Sequence, residues 1–281
     1  MNCTLHHGAS FDVYLASMRT LLINLDASIE RLRRMEEALG AAGITFERVS
    51  AVDARQWPRE DMDVWIGANC PRYPMGGELG CYLSHRRCWE FIAEGEDEFA
   101  LVLEDDVVLS ALAGAVLRDP RLLIPGADLI RLESWSMKVW VDRRDGIKLA
   151  SGHEVKRLRS GIIGAAAYVL SRRGAQKLLE LSPRYSHPVD LLIYFELVER
   201  CNMWTLVPSV FTQLRHIDDA ISAGPFVSTI SPTFHKERKS LKQRVASECR
   251  NLYRRLVRTA MGQQRARGDA EIFVEANRET A

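Results

Sequence analysis

The chain of 281 residues lacks several features by which whole classes of protein are recognised. No segment reaches the roughly 18 to 20 consecutive apolar residues that a transmembrane helix needs. The N-terminus lacks the basic-then-apolar order of a secretory signal. The six cysteines include no CxxC pair, so we expect reduced, buried thiols. These absences together lead us to expect a cytoplasmic protein.

Strong net charge is absent as well, since the formal charge is +1, and this excludes a global field that would attract nucleic acid. The charge is unevenly spread, however: residues 235–267 contain eleven Lys or Arg and only two Glu. Apolar positions recur there at helical spacing, namely Leu241, Val245, Cys249, Leu252 and Leu256. The pattern predicts a basic amphipathic helix before an acidic tail. Such a helix either lies on an anionic membrane surface or packs on its own domain.

Hydrophobic periodicity upstream of this basic segment alternates between strands and helices. An apolar, β-branched run at 20–25 predicts a buried strand, and the periodic stretch from Ser28 to Gly43 predicts a helix. Further strands are predicted at 44–52, 99–103, 127–134, 161–171 and 203–213, with helices at 77–95, 112–119, 171–182 and 187–200. A surface loop is predicted at 54–77 and a loop or hairpin at 135–160. This order indicates an α/β fold with parallel strands. We place one large domain at 1–234 and the basic helix with its acidic tail at 235–281.

Three consecutive carboxylates, Glu104, Asp105 and Asp106, stand where the strand at 99–103 ends. Their mutual repulsion costs stability unless a divalent cation neutralises them. Carboxylate oxygens suit Mg²⁺ or Mn²⁺, and ligands of open α/β sheets bind at the carboxyl ends of strands. The alternative is structural, with Asp105 or Asp106 capping the helix that follows.

A set of segments, taken in chain order, resembles glycosyltransferase family 25, the lipooligosaccharide glycosyltransferases, which also include collagen galactosyltransferases. The resemblance spans roughly residues 20–215. The segments are INLDASIERLRRM, GELGCYLSHRRCW, LVLEDD, GAAAYVLSRRGAQKLL, HPVD and VPSVFTQ. The EDD triplet alone is common, but the ordered set is specific.

The resemblance implies a GT-A-type, Rossmann-like domain with a mostly parallel central sheet, which holds a nucleotide-diphosphate sugar. It also implies a DxD-like acidic motif that binds Mn²⁺ (or Mg²⁺), a slot filled here by Glu104, Asp105 and Asp106. We expect Asp106 to bind the metal directly and Glu104 to contact the ribose, the metal or its water. His216 is the candidate that completes the metal site, the alternative being an exposed loop histidine.

Further residues near these motifs are candidates for contacts with the nucleotide sugar. Three of them have structural alternatives: a turn hydrogen bond for Asn24, an ion pair with a nearby glutamate for Arg31 and a turn for Asp53. His85 is expected to hydrogen-bond phosphate or Glu104, or else to pack in the helix. The full set is Asn24, Arg31, Asp53, Gly80, Ser84, His85 and Glu104.

Inverting transfer, which the resemblance favours, needs a carboxylate that takes the proton of the attacking hydroxyl. Asp190 in the HPVD segment is our candidate base, because Pro188 disfavours helix before it and so places it near a loop-to-helix entry. Its alternative role is a helix N-cap. Glu196 is the second candidate, with a solvated helix acid as its alternative.

The resemblance therefore implies a metal-dependent hexosyltransferase that moves galactose from UDP-galactose onto a lipooligosaccharide-type oligosaccharide or glycolipid. UDP-glucose and N-acetylated sugars remain open as donors, because a few hydrogen bonds in the pocket decide between epimers. Two other classes also remain open, a catalytically silent scaffold and another nucleotide-dependent metal enzyme, although no GxxxxGK phosphate loop is present. We expect no nucleic-acid partner, and a location at the inner face of the plasma membrane if the basic helix binds lipid.

Overall fold

The computed structural model describes residues 18–68, 70–134, 138–214, 259–260 and 263–267. Its strands are β1 Arg19–Asn24, β2 Glu47–Ser50, β3 Phe99–Glu104, β4 Val107–Leu109, β5 Leu129–Arg131, β6 Lys138–Lys148, β7 Glu154–Leu158, β8 Ala167–Ser171, β9 Met203–Val207, β10 Phe211–Gln213 and β11 Gln263–Arg267. Its helices are α1 Ile29–Ala41, α2 Arg59–Asp63, α3 Gly76–Glu94, α4 Ala113–Leu117, α5 Arg172–Leu181 and α6 Val189–Leu191. A 3₁₀ turn at Pro120–Leu122 and a π-helical turn at Leu192–Glu196 complete the elements.

Nine strands form one central sheet in the order β11-β6-β7-β9-β5-β8-β3-β1-β2. β1 is parallel to β2 and β3, and β5 is parallel to β9. β7, β8 and β11 run against their neighbours, so the other six of the nine strands share one direction. β4 and β10 form a separate antiparallel pair. The predicted α/β class with a mostly parallel sheet is confirmed.

Helices cover both faces of this sheet, as the alternating side chains of its strands require. On β3, Ala100 and Val102 join the hydrophobic cluster that contains Tyr82 and Trp89 of α3. Leu101 of the same strand points to the opposite cluster, which contains α1. Because both faces are covered, the ends of the strands are the places where a ligand can reach the sheet.

Local predictions agree with these elements in most places. The loop predicted at 54–77 contains the short helix α2. Within the predicted loop or hairpin at 135–160, residues 138–158 form the β6–β7 hairpin. Cys70, Cys81, Cys88 and Cys201 are free, although Cys70 and Cys81 are only half-buried. Among the helices in the described ranges, none is long and apolar enough to cross a membrane.

The C-terminal basic segment corrects one prediction. Gln263–Arg267, predicted as the end of a basic helix, is the strand β11 and pairs antiparallel with β6. The open edge of β6 offers backbone partners that a helix pattern in the sequence does not reveal. The apolar positions 241–256 of the predicted helix lie outside the described residues, and the boundary at residue 234 stays a prediction.

Candidate active site

Polar side chains collect where β1, β3 and β5 end, at the carboxyl edge of the sheet. Asn24 ends β1 and Glu104 ends β3, and Glu133 follows β5 by two residues. β8 is antiparallel to both β3 and β5, so its first residues, preceded by Gly164, lie at the same edge. Gln213 reaches this edge because β10 pairs with β4, directly after the acidic triplet. We call Glu104, Asp106 and Glu133 the acidic cluster.

Asp105, the middle acid of the triplet, is neutralised by the chain itself. Its carboxylate accepts hydrogen bonds from Arg31 Nη1 at 2.8 Å and from Asn24 Nδ2 at 2.7 Å, and all three side chains are buried. Arg34 donates to the backbone carbonyl of Asp105 at 2.8 Å. A contact of Asn24 or Arg31 with the nucleotide stays a prediction. In the structure both side chains bind the carboxylate of Asp105.

Asp105 and Asp106 form the turn between β3 and β4, and α4 begins later, with Leu112 at its N-cap. The capping alternative for Asp105 and Asp106 is therefore wrong, because a strand intervenes between the acids and the helix.

Glu104 and Asp106 converge on one amide nitrogen. Gln213 Nε2 lies 3.3 Å from Glu104 Oε2 and 3.4 Å from each carboxylate oxygen of Asp106. The backbone of Leu214 also donates to the carbonyl of Asp106 at 2.8 Å. Sequence reasoning did not select Gln213, although its place at the end of the VPSVFTQ segment was a usable signal. His216, predicted to complete a metal site, lies outside the described residues.

A buried chain of hydrogen bonds orients Glu104. Trp89 Nε1 donates to the Tyr168 hydroxyl at 2.9 Å, and indole is a donor only. That hydroxyl lies 2.9 Å from His85 Nδ1, and His85 Nε2 lies 3.0 Å from Glu104 Oε1. An ionised carboxylate can only accept a hydrogen bond, so His85 donates its Nε2 proton to ionised Glu104. The predicted contact between His85 and Glu104 is confirmed, and it leaves Glu104 Oε2 directed towards Asp106 and Gln213.

Two sets of atoms in this region are candidates for holding a cation. Cys81, His85 and Glu104 offer ligand atoms within 4.8 Å of one another. Burial and the adjacent Glu104 raise the pKa of the Cys81 thiol well above its usual range, which disfavours the thiolate that binds metals, and His85 Nε2 is hydrogen-bonded to Glu104 at 3.0 Å. Oxygen atoms of Glu104 and Asp106 are the ligands that Mg²⁺ and Mn²⁺ prefer, so this pair fits the predicted cation better.

Glu133 is a carboxylate that sequence reasoning missed. It is 0% exposed, and burial, reinforced by the charges of Glu104 and Asp106, raises its pKa to about 7 against the opposing effects of Arg131 and the Ala166 amide. Its Oε2 accepts the Ala166 N–H at 2.8 Å, while its Oε1 has no hydrogen-bond partner among the described residues. Its position near the end of the strand predicted at 127–134 was the signal.

Asp190, the predicted base, is tied to the same edge of the sheet. Its Oδ2 accepts the Gly164 N–H at 3.1 Å and its Oδ1 accepts the Leu191 N–H at 2.8 Å. The N-cap of α6 is Pro188, so the N-cap alternative for Asp190 is wrong. Glu196 is exposed at the end of the π-helical turn, and in the described part of the chain no hydrogen bond joins its side chain to the acidic cluster.

Gly80 and Ser84 of α3 fix the loop that follows β2. A Cβ atom on Gly80 would lie 2.4 Å from the Val52 carbonyl oxygen, so glycine permits the close approach. Ser84 Oγ donates to the Gly80 carbonyl at 2.7 Å and accepts the Val52 N–H at 2.8 Å. Asp53 is exposed on this loop, and hydrogen bonds from Arg55 lower its pKa. Nucleotide contacts of these three predicted residues remain predictions.

Comparison with known proteins gives the family. Residues 18–193, more than half of the chain, match the family model described as Glycosyltransferase family 25 (LPS biosynthesis protein). The chain belongs to glycosyltransferase family 25. The predicted resemblance is thereby confirmed, and the match includes the acidic triplet, His85, Glu133 and Asp190.

Relatives within family 25 come from animals and bacteria. The chain is 30% identical over 177 residues to a glycosyltransferase 25 family member of Aedes aegypti, covering 58% of this chain but only 28% of the mosquito protein. It is 27% identical over 208 residues to the lipooligosaccharide biosynthesis protein lex-1 of Haemophilus influenzae, covering 67% of each. It is 27% identical over 175 residues to procollagen galactosyltransferase 1-B of Xenopus laevis, covering 58% of this chain and 28% of that protein.

Solved structures resemble the chain at a low level. A glycosyltransferase involved in glycosylation of the major capsid of PBCV-1 superimposes with a TM-score of 0.36 and 10% identity, over 70% of this chain and 94% of the other. HddC from Yersinia pseudotuberculosis gives a TM-score of 0.37 and 16% identity, over 74% and 98%. Likeness at this level does not bear on function.

Proposed function

We propose that this family 25 protein is an inverting, metal-dependent hexosyltransferase that moves galactose from UDP-galactose onto a lipooligosaccharide-type acceptor. The observation that carries the proposal is the convergence of Glu104 and Asp106 on Gln213 Nε2, with Asp190 tied to the same sheet edge. The names of two relatives, a lipooligosaccharide biosynthesis protein and a procollagen galactosyltransferase, support the acceptor class and the hexose.

Glu104, through Oε2, and Asp106 are the residues that would hold Mn²⁺ or Mg²⁺. The bound cation supplies a Lewis acid for the charge that develops on the departing nucleoside diphosphate. Neighbouring side chains hold this pair in place. Arg31 and Asn24 bind the carboxylate of Asp105, which therefore does not join the pair, and His85 donates to the other oxygen of Glu104.

Asp190 is proposed to take the proton of the acceptor hydroxyl. As the hydroxyl oxygen bonds to the anomeric carbon, the bond from that carbon to the diphosphate oxygen breaks, and the hydroxyl proton passes to the Asp190 carboxylate. The backbone amides of Gly164 and Leu191 hold this carboxylate in place. Inversion follows if Asp190 lies on the face of the sugar opposite the diphosphate.

The test is release of UDP from a panel of UDP-sugars, with and without Mn²⁺, first without acceptor and then with lipooligosaccharide. We expect metal-dependent release from one sugar, accelerated by the acceptor, and Asp190→Asn should remove the acceptor-dependent part. No release and no thermal shift with any UDP-sugar would contradict the proposal and favour a silent scaffold or another donor class.

The basic segment 236–258 is proposed to bring the enzyme to an anionic membrane surface that carries its acceptor. Its charge supports this, since each Lys or Arg near such a surface contributes about 1 kcal/mol. Deleting the C-terminus would also remove β11, so substitution is the better test. Replacing Lys239, Lys242, Arg250 and Arg254 by Gln should weaken sedimentation with anionic liposomes, whereas replacing the exposed Arg59 should not. Unchanged sedimentation would leave the segment without a membrane role.

A further inference from the structure

The segment 164–166, which leads into β8, joins the candidate base to the acidic cluster through its backbone. The Gly164 N–H donates to Asp190 Oδ2 at 3.1 Å, and the Ala166 N–H donates to Glu133 Oε2 at 2.8 Å. The Ala166 carbonyl accepts the Glu104 N–H at 2.9 Å. Three acidic residues from distant parts of the chain therefore contact one stretch of three residues.

Gly164 meets two separate requirements at this point. Its φ of +95° lies in the region that side-chain-bearing residues rarely adopt. A Cβ atom built on it would also lie 2.6 Å from Glu133 Oε1 and 2.9 Å from Oε2, closer than real Cβ contacts. The carboxylate of Glu133 thus packs directly against the residue whose amide binds Asp190.

Glu133 itself is firmly placed. Its backbone carbonyl accepts the Ser209 hydroxyl at 3.1 Å and the Arg131 guanidinium, and Arg131 Nη2 lies 3.6 Å from its carboxylate. Arg131 Nη2 also donates to the Ile163 carbonyl at 3.1 Å, just before Gly164. The pair of Arg131 and Glu133 therefore contacts the chain on both sides of Gly164, at Ile163 and at Ala166.

The same guanidinium group of Arg131 also lies against the turn that follows the element carrying the base. Its Cζ lies 5.6 Å from the ring centre of Tyr194, on the π-helical turn that follows α6. Since Glu133 is fully buried, it does not itself meet an acceptor hydroxyl in this conformation, and its effect on the reaction has to pass through its neighbours.

We propose that Glu133 is a positioning residue for glycosyl transfer, holding Asp190 at a set place relative to Glu104 through the Gly164–Ala166 backbone. This inference rests on the proposed function, in which Asp190 accepts the proton. Misplacement of a catalytic group by about 1 Å costs on the order of 100-fold in rate, which sets the size of the expected effect.

The first test compares Glu133→Ala with Glu133→Gln. The alanine variant removes the acceptor of the Ala166 N–H, whereas glutamine retains an oxygen of the same shape. We expect Glu133→Ala to lower kcat at saturating donor and acceptor by about 10- to 100-fold with little change in KM for the UDP-sugar, and Glu133→Gln to recover most of the loss. An unchanged kcat per folded molecule in Glu133→Ala would overturn the proposal.

Amide hydrogen exchange at Gly164, followed by NMR, gives a readout that does not depend on turnover. Exchange should accelerate in Glu133→Ala and return towards the wild-type rate in Glu133→Gln. Equal rates in all three proteins would overturn the positioning role. If the wild type turns over no UDP-sugar, the proposed function fails, and the exchange rate still decides whether Glu133 holds the segment.

A pair of glycine variants covers the case in which Glu133→Ala fails to fold. Gly152, in the β6–β7 turn, has a φ of +84°, but a Cβ there would meet nothing within 4 Å. Gly164→Ala and Gly152→Ala therefore share the backbone strain, and only the first pushes on Glu133. We expect a lower kcat in Gly164→Ala alone. Equal kcat values in the two variants would count against Glu133 as the positioning group.

Discussion

The two ends of strand β5 carry buried acids in opposite electrostatic conditions. Asp128, just before the strand, is 1% exposed and accepts hydrogen bonds from Lys177 at 2.7 Å, Arg173 at 2.9 Å and the Asn202 amide at 2.7 Å. Burial opposes its ionisation, but these donors lower its pKa overall. Glu133, just after the strand, is equally buried, yet its pKa is raised to about 7.

This contrast separates a stabilising edge of the sheet from the proposed reactive edge. At the amino edge the chain supplies two cations and an amide for a single carboxylate, so the charge is fully compensated. At the carboxyl edge three acidic side chains lie close together, and one carboxylate oxygen lacks a partner among the described residues. Groups with strongly perturbed pKa values collect at functional sites, because binding and proton transfer use charge that the fold leaves uncompensated.

The largest expected effect comes from Asp106→Asn, at the reactive edge. Loss of a metal-binding carboxylate should lower metal-dependent turnover by at least about 100-fold, since the cation supplies several kcal/mol of transition-state stabilisation. The fold should persist, and titration calorimetry with Mn²⁺ should show weaker binding. Asp128→Asn is the control that should retain kcat per folded molecule. Full activity in Asp106→Asn would remove the metal assignment.

Glu133→Gln should change how stability depends on pH. With a folded pKa of about 7 against an ordinary 4.5, the folded state of the wild type binds more protons than the unfolded state between these values. Its free energy of unfolding therefore falls as pH rises through this window, by at most about 3 kcal/mol from this group. The variant should lose that decline in urea unfolding series from pH 4.5 to 8. A parallel decline in both proteins would contradict the raised pKa.

Asp128→Asn should change the pH dependence of the free energy of unfolding in the opposite direction. The lowered pKa means that Asp128 stabilises the fold above its unfolded pKa, and this contribution disappears as pH falls through the folded pKa. We expect a loss of about 2 kcal/mol in the free energy of unfolding at neutral pH, because two partly exposed cations lose their buried partner. The loss should shrink in acid. A loss that is the same at all pH values would mean that packing rather than charge is responsible.

The smallest expected effect concerns a hydrogen bond near the carboxyl edge whose role is structural. Ser84→Ala removes the hydroxyl that accepts the Val52 N–H, and should lower the free energy of unfolding by about 1 kcal/mol. Ser110 is a matched control, since its buried hydroxyl has no hydrogen-bond partner in the part of the chain that the structure describes. Ser110→Ala should be nearly neutral. Equal losses in the two variants would argue that the Ser84 bond contributes nothing to stability.

Much of the fold was predictable because its signals are local. The apolar run of β1, the periodicity of α1 and the carboxylates that end β3 can each be recognised within a dozen residues. The antiparallel insertion of β8 between β3 and β5 was not predicted, since strand direction depends on which strands become neighbours. β11 was predicted as helix for a related reason, because its partner β6 lies more than a hundred residues earlier.

The candidate site likewise combines features that local sequence predicts with features that depend on distant segments. The sequence by itself determined that three acids end a buried strand, that His85 lies on the preceding helix and that the chain resembles family 25. Only the tertiary structure decided that Asp105 is neutralised by Arg31, and that Glu133 and Gln213 join Glu104 and Asp106. The physical reason is that a carboxylate's charge state and orientation depend on burial and on partners from distant segments, which no local pattern encodes.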